Sequence, residues 1–186
     1  MSTEDAAPFL PWWTAHHPGT WPVGWSLRAR AHRQWLRIHS LPEGRPHPEN
    51  EDDWTELLAR HREVSVTTLG DHAACWLILG GDEHRLRYEG LALSPIAADQ
   101  LPPSTDGVVR HFAVTKVEWN FDAFEPLIRE LADEDDGRSL LVTNFDTGDV
   151  YAPYPGGADL FFHRFREHDE AVHRFGDWRS KRSDGL

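Results

Sequence analysis

The chain has 186 residues, long enough for one domain with its own hydrophobic core, and it carries a formal net charge of -12. That charge disfavours nucleic acid as a partner and favours a basic protein surface. A single cysteine excludes an intramolecular disulfide, while an acidic first segment and the lack of an apolar run of about 20 residues predict a cytoplasmic protein with neither signal peptide nor membrane span.

Residues 1–24 form a segment rich in proline and tryptophan, which contains the run PFLPWWTAHHPGTWPVG at 8–24. Proline blocks regular structure, but tryptophans at this density rarely stay in water. We therefore expect an ordered arm that packs over a single domain formed by residues 25–186. The adjacent His16 and His17 suggest a metal, yet neighbouring positions project in different directions, so we expect no metal site there.

The next segment predicts a helix from Ser26 that passes into a short strand at Leu36–Leu41. After a proline-rich loop, Asn50 is a suitable N-cap for a helix that Gly70 closes. His61 lies on the apolar stripe of that helix. We expect it to be a structural histidine rather than a ligand.

The middle of the chain predicts three strands and a helix. Ala74–Leu79 is a short apolar run typical of a buried strand, and Val108–Trp119 alternates so that both faces are partly covered. Between them we expect one edge strand around Leu86–Leu93 and a long surface loop. The apolar spacing from 122 to 133 then predicts an amphipathic helix.

The last part predicts a hairpin of Ser139–Phe145 and Asp149–Tyr154 around a turn at 146–148. A further strand, Ala158–Phe162, follows a Gly-Gly pair, and a helix runs over Phe165–Trp178. Strands joined by hairpins in some places and by helices in others predict an α+β domain. We expect a mixed, mostly antiparallel sheet with helices packed mainly on one face.

Four phrases carry a family resemblance: WLRIHSLPEGRPHPENEDD at 35–53, VEWNFDAFEPLIRELADEDDG at 117–137, VTNFDTGDVYAPYPGGADLFF at 142–162 and the terminal DWRSKRSDGL. With them the chain resembles a family of short bacterial cytosolic proteins grouped as a domain of unknown function. Pro155 departs from the family pattern, which has an aspartate before the Gly-Gly pair. The resemblance implies membership and a cytosolic setting, and it implies no catalytic mechanism.

The first candidate site brackets the turn after the first strand and consists of Arg37, His39, Glu43 and Arg45. Alternation puts Arg37 and His39 on the same face, and Glu43 lies a short loop away. A His-Glu pair that moves a proton is one interpretation. A salt-bridged loop that anchors a solvated strand end is the other.

The second candidate site surrounds the Gly-Gly pair. Asp159 lies inside an apolar strand, so a buried carboxylate there needs a partner, either a backbone amide of Gly156 or Gly157 or an arginine. Tyr151 and Tyr154 either line a groove beside the glycines or belong to the core and its rim. We predict low exposure for Asp159.

Two patterns resemble metal sites. Carboxylates at Asp146, Asp149 and Asp159 would suit magnesium or calcium, but an aspartate before Gly148 is ordinary turn chemistry. Histidines repeated every five residues from His163 rotate around a helix instead of sharing a face. We expect neither a metal nor a cofactor.

Two acidic tracts lie at predicted helix ends. The run Glu49–Asp53 suits a helix N-terminus, whereas Asp133–Asp136 lies at a helix C-terminus, where negative charge is unfavourable and indicates a basic partner. We therefore predict a non-catalytic cytosolic interaction protein with an acidic, aromatic-rich surface, of which an immunity protein is one form. The alternative is a small hydrolase or phosphate-ester enzyme that uses His39, Glu43 and Asp159 with a divalent cation.

Overall fold

The computed structural model describes residues 8–30, 34–102, 110–133 and 137–179, and one sheet runs through them. Its strands are β1 (Trp35–His39), β2 (Ala74–Gly81), β3 (Ser94–Ile96), β4 (His111–Glu118), β5 (Ser139–Asn144), β6 (Val150–Tyr154) and β7 (Gly157–Phe161). Their order across the sheet is β1-β7-β6-β5-β2-β4-β3, and all these pairings are antiparallel. The protein is an α+β domain, as predicted.

Helices cover both faces of this sheet. They are α1 (Phe9–His16), α2 (Gly24–Arg30), α3 (Glu51–Leu69), α4 (Phe121–Asp133) and α5 (Phe165–Arg174). The three longest, α3, α4 and α5, share one hydrophobic core with one face of the sheet, and α1 and α2 share a second core with the other face. Within the described ranges, none of the helices has the length and apolar character needed to cross a membrane.

The central strand β2 explains why the sequence has a continuous apolar run at this point. Cys75, Leu77 and Leu79 point into the core under α3 and α4, whereas Trp76 and Ile78 point into the core under α1 and α2. Because both faces of the strand are covered, every position is apolar. Burial raises the pKa of the Cys75 thiol to about 12, so the thiol is uncharged and unreactive.

The packing expected of the N-terminal arm is seen for its described residues, 8–24, which are more regular than their prolines suggest. Residues 1–7 lie outside the described ranges. Pro8 precedes α1 and Pro11 lies in its first turn, where the missing amide proton has no intrahelical partner to lose. Trp13 and Trp21 are buried, whereas 45% of Trp25 is exposed. The expected boundary between residues 24 and 25 lies inside α2, which begins at Gly24.

The helix α3 begins and ends where the sequence predicts. The Asn50 side chain accepts a hydrogen bond from the Asp53 amide at 3.0 Å and so caps the helix. Gly70 ends it with a φ of +86°, a conformation that glycine adopts without strain.

The helices α3 and α4 run antiparallel on the same face. The Arg129 guanidinium lies 4.9 Å from the Trp54 ring centroid, near the start of α3. Arg62, further along α3, pairs with Asp122 at the start of α4. The last residues of α4 therefore lie beside the first turn of α3.

The predicted edge strand over Leu86–Leu93 is wrong. The edge strand is β3, which follows that segment and pairs with β4. A turn closed by the Leu91 amide and the Tyr88 carbonyl at 3.1 Å, with Gly90 at φ +82°, interrupts the expected strand. Leu86, Tyr88 and Leu91 pack against the core from this segment, which accounts for its apolar residues without a strand.

Candidate functional site

A buried ion pair joins the first and last strands. Alternation turns Leu36 and Ile38 of β1 into the core under α3 and leaves Arg37 on the opposite face, directly across from Asp159 of β7. Only 4% of Asp159 is exposed. It accepts hydrogen bonds from Arg37 Nε at 2.8 Å, Arg37 Nη2 at 2.9 Å and Trp35 Nε1 at 2.8 Å. The predicted low exposure of Asp159 is confirmed, and of the two predicted kinds of partner, a glycine amide or an arginine, the structure shows the arginine.

Two aromatic rings flank the arginine of this pair. The Arg37 guanidinium lies 4.6 Å from the Tyr154 ring centroid and 5.5 Å from that of Trp35. Burial opposes the charge on Arg37, but the hydrogen bonds and attraction of Asp159 outweigh burial and raise its pKa. Burial also raises the pKa of Tyr154 to about 12, against the opposing effect of Arg37. Because three donors already occupy the Asp159 carboxylate, it is poorly placed to ligate a cation.

The glycine pair has a structural reason. A Cβ on Gly157 would overlap the carbonyl oxygen of Ile38 and lie 2.5 Å from the Tyr154 hydroxyl, so glycine lets that ring lie over β7. Gly156 has a φ of +92°, and a Cβ there would lie 3.3 Å from Cα of Pro46. These contacts, together with the Gly156 conformation, account for both glycines without a ligand.

The turn after β1 is strained and places Glu43 in solvent. Glu43 has a φ of +61°, an uncommon conformation for a residue with a side chain, and Gly44 follows with +70°. Gly44 packs against the His39 ring, where an added Cβ would lie 3.3 Å from Cε1. Burial, with the positive charges of Arg37 and Arg60, lowers the pKa of His39. Within the described residues, no hydrogen bond joins His39 to Glu43.

Arg45 leaves this group for the helix α3. Its guanidinium binds Asp53 with two hydrogen bonds, at 2.6 and 2.7 Å. Those bonds, with one from the Glu49 amide, lower the pKa of Asp53 to about 2. The four residues of the first candidate site therefore do not form one site. Arg37 and His39 lie on the strand β1, Glu43 points into solvent, and Arg45 binds the helix α3.

Tyr151 lies in the core, so the interpretation that it lines a groove is wrong. Its hydroxyl is 2.6 Å from His61 Nδ1, and His61 Nε2 is 2.7 Å from Ser40 Oγ. Burial lowers the pKa of His61 to about 4, so the ring is neutral. At most 1% of each of the three residues is exposed. This Ser-His pair has no access for a substrate, and the structural role expected for His61 is confirmed.

Asp133, the described residue of the second acidic tract, lies at the same end of the α3–α4 pair as the first tract. His47 Nδ1 lies 3.2 Å from the Ala132 carbonyl and holds the loop before α3 against the end of α4. Four carboxylates are exposed at this place, which we call the acidic end: Glu49, Glu51, Asp52 and Asp133. None of the four makes an ion pair within the described residues, whereas Asp53 is neutralised by Arg45. Residues 134–136 lie outside the described ranges.

A cavity lined by histidines lies on the opposite face, and sequence analysis missed it. His17 and His163 approach to 5.3 Å between ring centroids and His16 and His163 to 5.8 Å, across most of the chain length. The turn at Gly148 brings them together. In the sequence, Gly148 predicts the turn beside this cavity, but only the order of the strands shows which histidines lie next to the turn. In the described part of the chain, no three His, Cys, Asp or Glu side chains are arranged to hold a metal ion.

An antiparallel sheet with three long helices on one face and a short helical arm on the other defines the class, an α+β domain. A family model described as a domain of unknown function, DUF3885, matches residues 23–183, and the chain belongs to that family. The match includes the whole sheet and leaves α1 outside. Neither the curated proteins nor the solved structures compared with the chain gave a match.

Proposed function

We propose that the protein is a non-catalytic cytosolic interaction protein that holds a basic protein at the acidic end. An immunity protein that neutralises a toxin is one form of this function. The observation that supports the proposal is the position of Asp133, at the end of α4, at the same end of the α3–α4 pair as Glu49, Glu51 and Asp52, which are distant from it in sequence. The same concentration of negative charge disfavours nucleic acid as the partner.

The electrostatics of the two helices favour a cationic partner at this place. Glu51 and Asp52 lie in the first turn of α3, where the helix dipole stabilises negative charge. Asp133 lies in the last turn of α4, where the dipole destabilises it, an unfavourable interaction that a bound cation relieves. The cluster also attracts a basic surface from a distance and so raises the association rate.

An aromatic anchor lies beside the acids. Trp54 is partly exposed, and Arg129 lies over its ring at 4.9 Å. Tryptophan and arginine are enriched at the energetic centres of protein interfaces. At the acidic end, the carboxylates would therefore speed association with a basic partner, and the Trp54 ring would contribute binding energy once the partner is in contact.

The enzyme alternative lacks this support. Its proposed carboxylate, Asp159, already accepts hydrogen bonds from Arg37 and Trp35. Its second acid, Glu43, points into solvent, and the His39 ring packs on Gly44. A cation site made from these residues would require the buried ion pair to open.

Site-directed photo-crosslinking in the cells that make the protein tests the proposal. A photoreactive residue in place of Trp54 should trap one basic protein. A variant neutralised at the acidic end, E49Q/E51Q/D52N/D133N, should lose the adduct. A matched variant, E83Q/E89Q/D99N/D146N, is neutralised at four exposed acids elsewhere and loses the same charge from the natural -12. This variant should still form the adduct.

Binding kinetics with the purified partner complete the test. Association should slow with added salt, because ions screen charges over about 10 Å at 0.1 M. At low salt, the acidic-end variant should associate more slowly with the partner than the matched variant does. Equal rates at low and high salt would contradict the proposal. Turnover of a phosphate ester that H39A abolishes would instead establish the enzyme alternative.

A further inference from the structure

Three histidine rings cluster where the N-terminal arm meets the rest of the domain. His16 ends α1, His17 is its C-cap, and His163 follows β7. The distances between ring centroids are 5.3 Å for His17 and His163, 5.8 Å for His16 and His163, and 6.4 Å for His16 and His17. A Cβ on Gly148 would lie 2.7 Å from Cε1 of His163, so the turn glycine allows this approach. We call the three residues the histidine cluster.

The helix α1 is attached to the sheet through side chains. Among the described residues, its backbone makes no hydrogen bond to a strand. Phe9 packs edge-on against Trp76 at 5.4 Å between ring centroids, and Trp12 Nε1 donates to the Phe145 carbonyl at 2.9 Å. The helix also lies outside residues 23–183, which the family model matches. A terminal helix held in this way can open locally without unfolding the domain behind it.

His17 is placed where a charged ring is unfavourable. The residue is 8% exposed, and its buried Nε2 has no hydrogen-bond partner. An imidazolium is a donor at both ring nitrogens, so protonation leaves a charged donor at Nε2 without an acceptor, whichever nitrogen holds the proton in the neutral ring. An unpaired donor of this kind is costly to bury. Burial, followed by His163 and His16, lowers the pKa of His17 to about 3, against a smaller raising effect of the Gly148 backbone.

The groups around His17 do not offset such a charge. The cavity beside the ring is lined by Arg30 of α2 and, among the described residues, by no carboxylate. Asp149 Oδ1 accepts the backbone amide of His163 at 2.7 Å, and burial raises the pKa of Asp149 against the hydrogen bond and attraction of His163. Asp149 therefore favours positive charge on His163, and that charge opposes a second one on His17. Further charged side chains in the neighbouring turn, the segment after β7 and α5 are Asp146, Arg164 and Glu167.

We propose that the histidine cluster is a pH-sensitive latch, which holds α1 on the sheet while His17 is neutral and releases α1 when the ring takes up a proton. In the released arm the ring is solvated and titrates near 6.5, as in an unfolded chain. Acidification therefore favours release, because the released arm binds the proton more tightly. Release uncovers the side of the sheet that carries Trp76. The latch and the acidic end lie on opposite faces of the sheet, so either proposal stands without the other.

Hydrogen exchange of the full chain, measured by mass spectrometry from pH 7.5 to pH 5 and corrected for the intrinsic effect of pH on exchange, tests the proposal. The equilibrium constant for opening of the α1 amides should rise about 30-fold. This is the ratio set by a pKa of about 3 for His17 in the attached arm and 6.5 in the released arm. The amides of β2 report on unfolding of the whole domain and should remain much better protected than those of α1.

Three variants show which histidine is responsible. H17F removes the titrating group and keeps a ring against Trp13, whose centroid lies 4.3 Å away, so opening should become nearly independent of pH. H163Q changes an exposed residue that folding does not require, removes one source of repulsion and should reduce the rise, so it decides the question even if H17F does not fold. H173Q, a matched change at an exposed histidine of α5, should keep the full rise.

Four results would overturn the proposal. The first is opening of α1 that does not depend on pH in the natural chain. The second and third are a rise in folded H17F as large as that in H173Q and an undiminished rise in H163Q. The fourth is loss of protection in α1 and β2 together, which would show unfolding of the whole domain instead of release of the arm.

Discussion

Removing the buried carboxylate of β7 should destabilise the fold by about 3 kcal/mol. The substitution D159A leaves Arg37, of whose side chain 15% is exposed, without its charged partner and leaves Trp35 Nε1 without an acceptor. Breaking a buried ion pair from one side costs about 3–5 kcal/mol. The lower end applies because part of the guanidinium reaches solvent and the Tyr154 ring at 4.6 Å still stabilises its charge.

Urea denaturation of a double-mutant cycle measures this quantity. D159A, R37M and the double variant should give a coupling energy of about 2 kcal/mol. The reason is that D159A leaves the Arg37 charge unpaired, so removing Arg37 as well costs little more. D146A, which removes an exposed carboxylate from the neighbouring hairpin turn, should leave the midpoint unchanged. The reasoning fails if D159A costs as much in the R37M background as in the natural chain.

Three further results are expected. The pKa of His61 is about 4 in the folded protein and 6.5 in the unfolded chain, so burial of the neutral ring contributes its full stability above about pH 6.5. About 3 kcal/mol of that stability is lost as the pH falls from 6.5 through 4. The urea midpoint should therefore fall less steeply from pH 7 to 4 in H61Q than in the natural protein, and an equal slope would refute this. G157A should displace the Tyr154 ring and lower the melting temperature, whereas retention of the natural near-ultraviolet circular dichroism would contradict the packing described. F9A should cost about 3–5 kcal/mol if α1 belongs to the core, and an unchanged unfolding free energy would show that the arm is dispensable.

The elements that the sequence predicts well are those set by local chemistry. Asn50 and Gly70 bound α3 because capping depends on a few neighbouring atoms. The apolar run of β2 indicates a strand because both of its faces are covered. The apolar stripe of α4 is equally local. For Asp159, a charge inside an apolar strand was enough to predict a partner.

The parts that escaped prediction depend on distant pairing. Arg37 was identified as the partner of Asp159 only by the register between β1 and β7. The cavity lined by His16, His17 and His163 likewise depends on the sheet order, which brings His17 to His163. An edge strand was predicted around Leu86–Leu93, yet the chain makes a turn there, because apolar residues in a short segment cannot distinguish a strand from a loop that covers a core.

The pairing of the first strand with the last also governs when the protein can fold. Trp35 and Asp159 are 124 positions apart, so synthesis at about 5–20 residues per second separates their appearance by roughly 6 to 25 s. Throughout that interval β1 lacks β7, the strand that pairs with it along its whole length. During the first part of the interval the aromatic arm also lacks the strand residues that bury it. The nascent chain therefore exposes an unpaired strand and a tryptophan-rich segment for seconds, a demand on chaperones that arises from chain order alone.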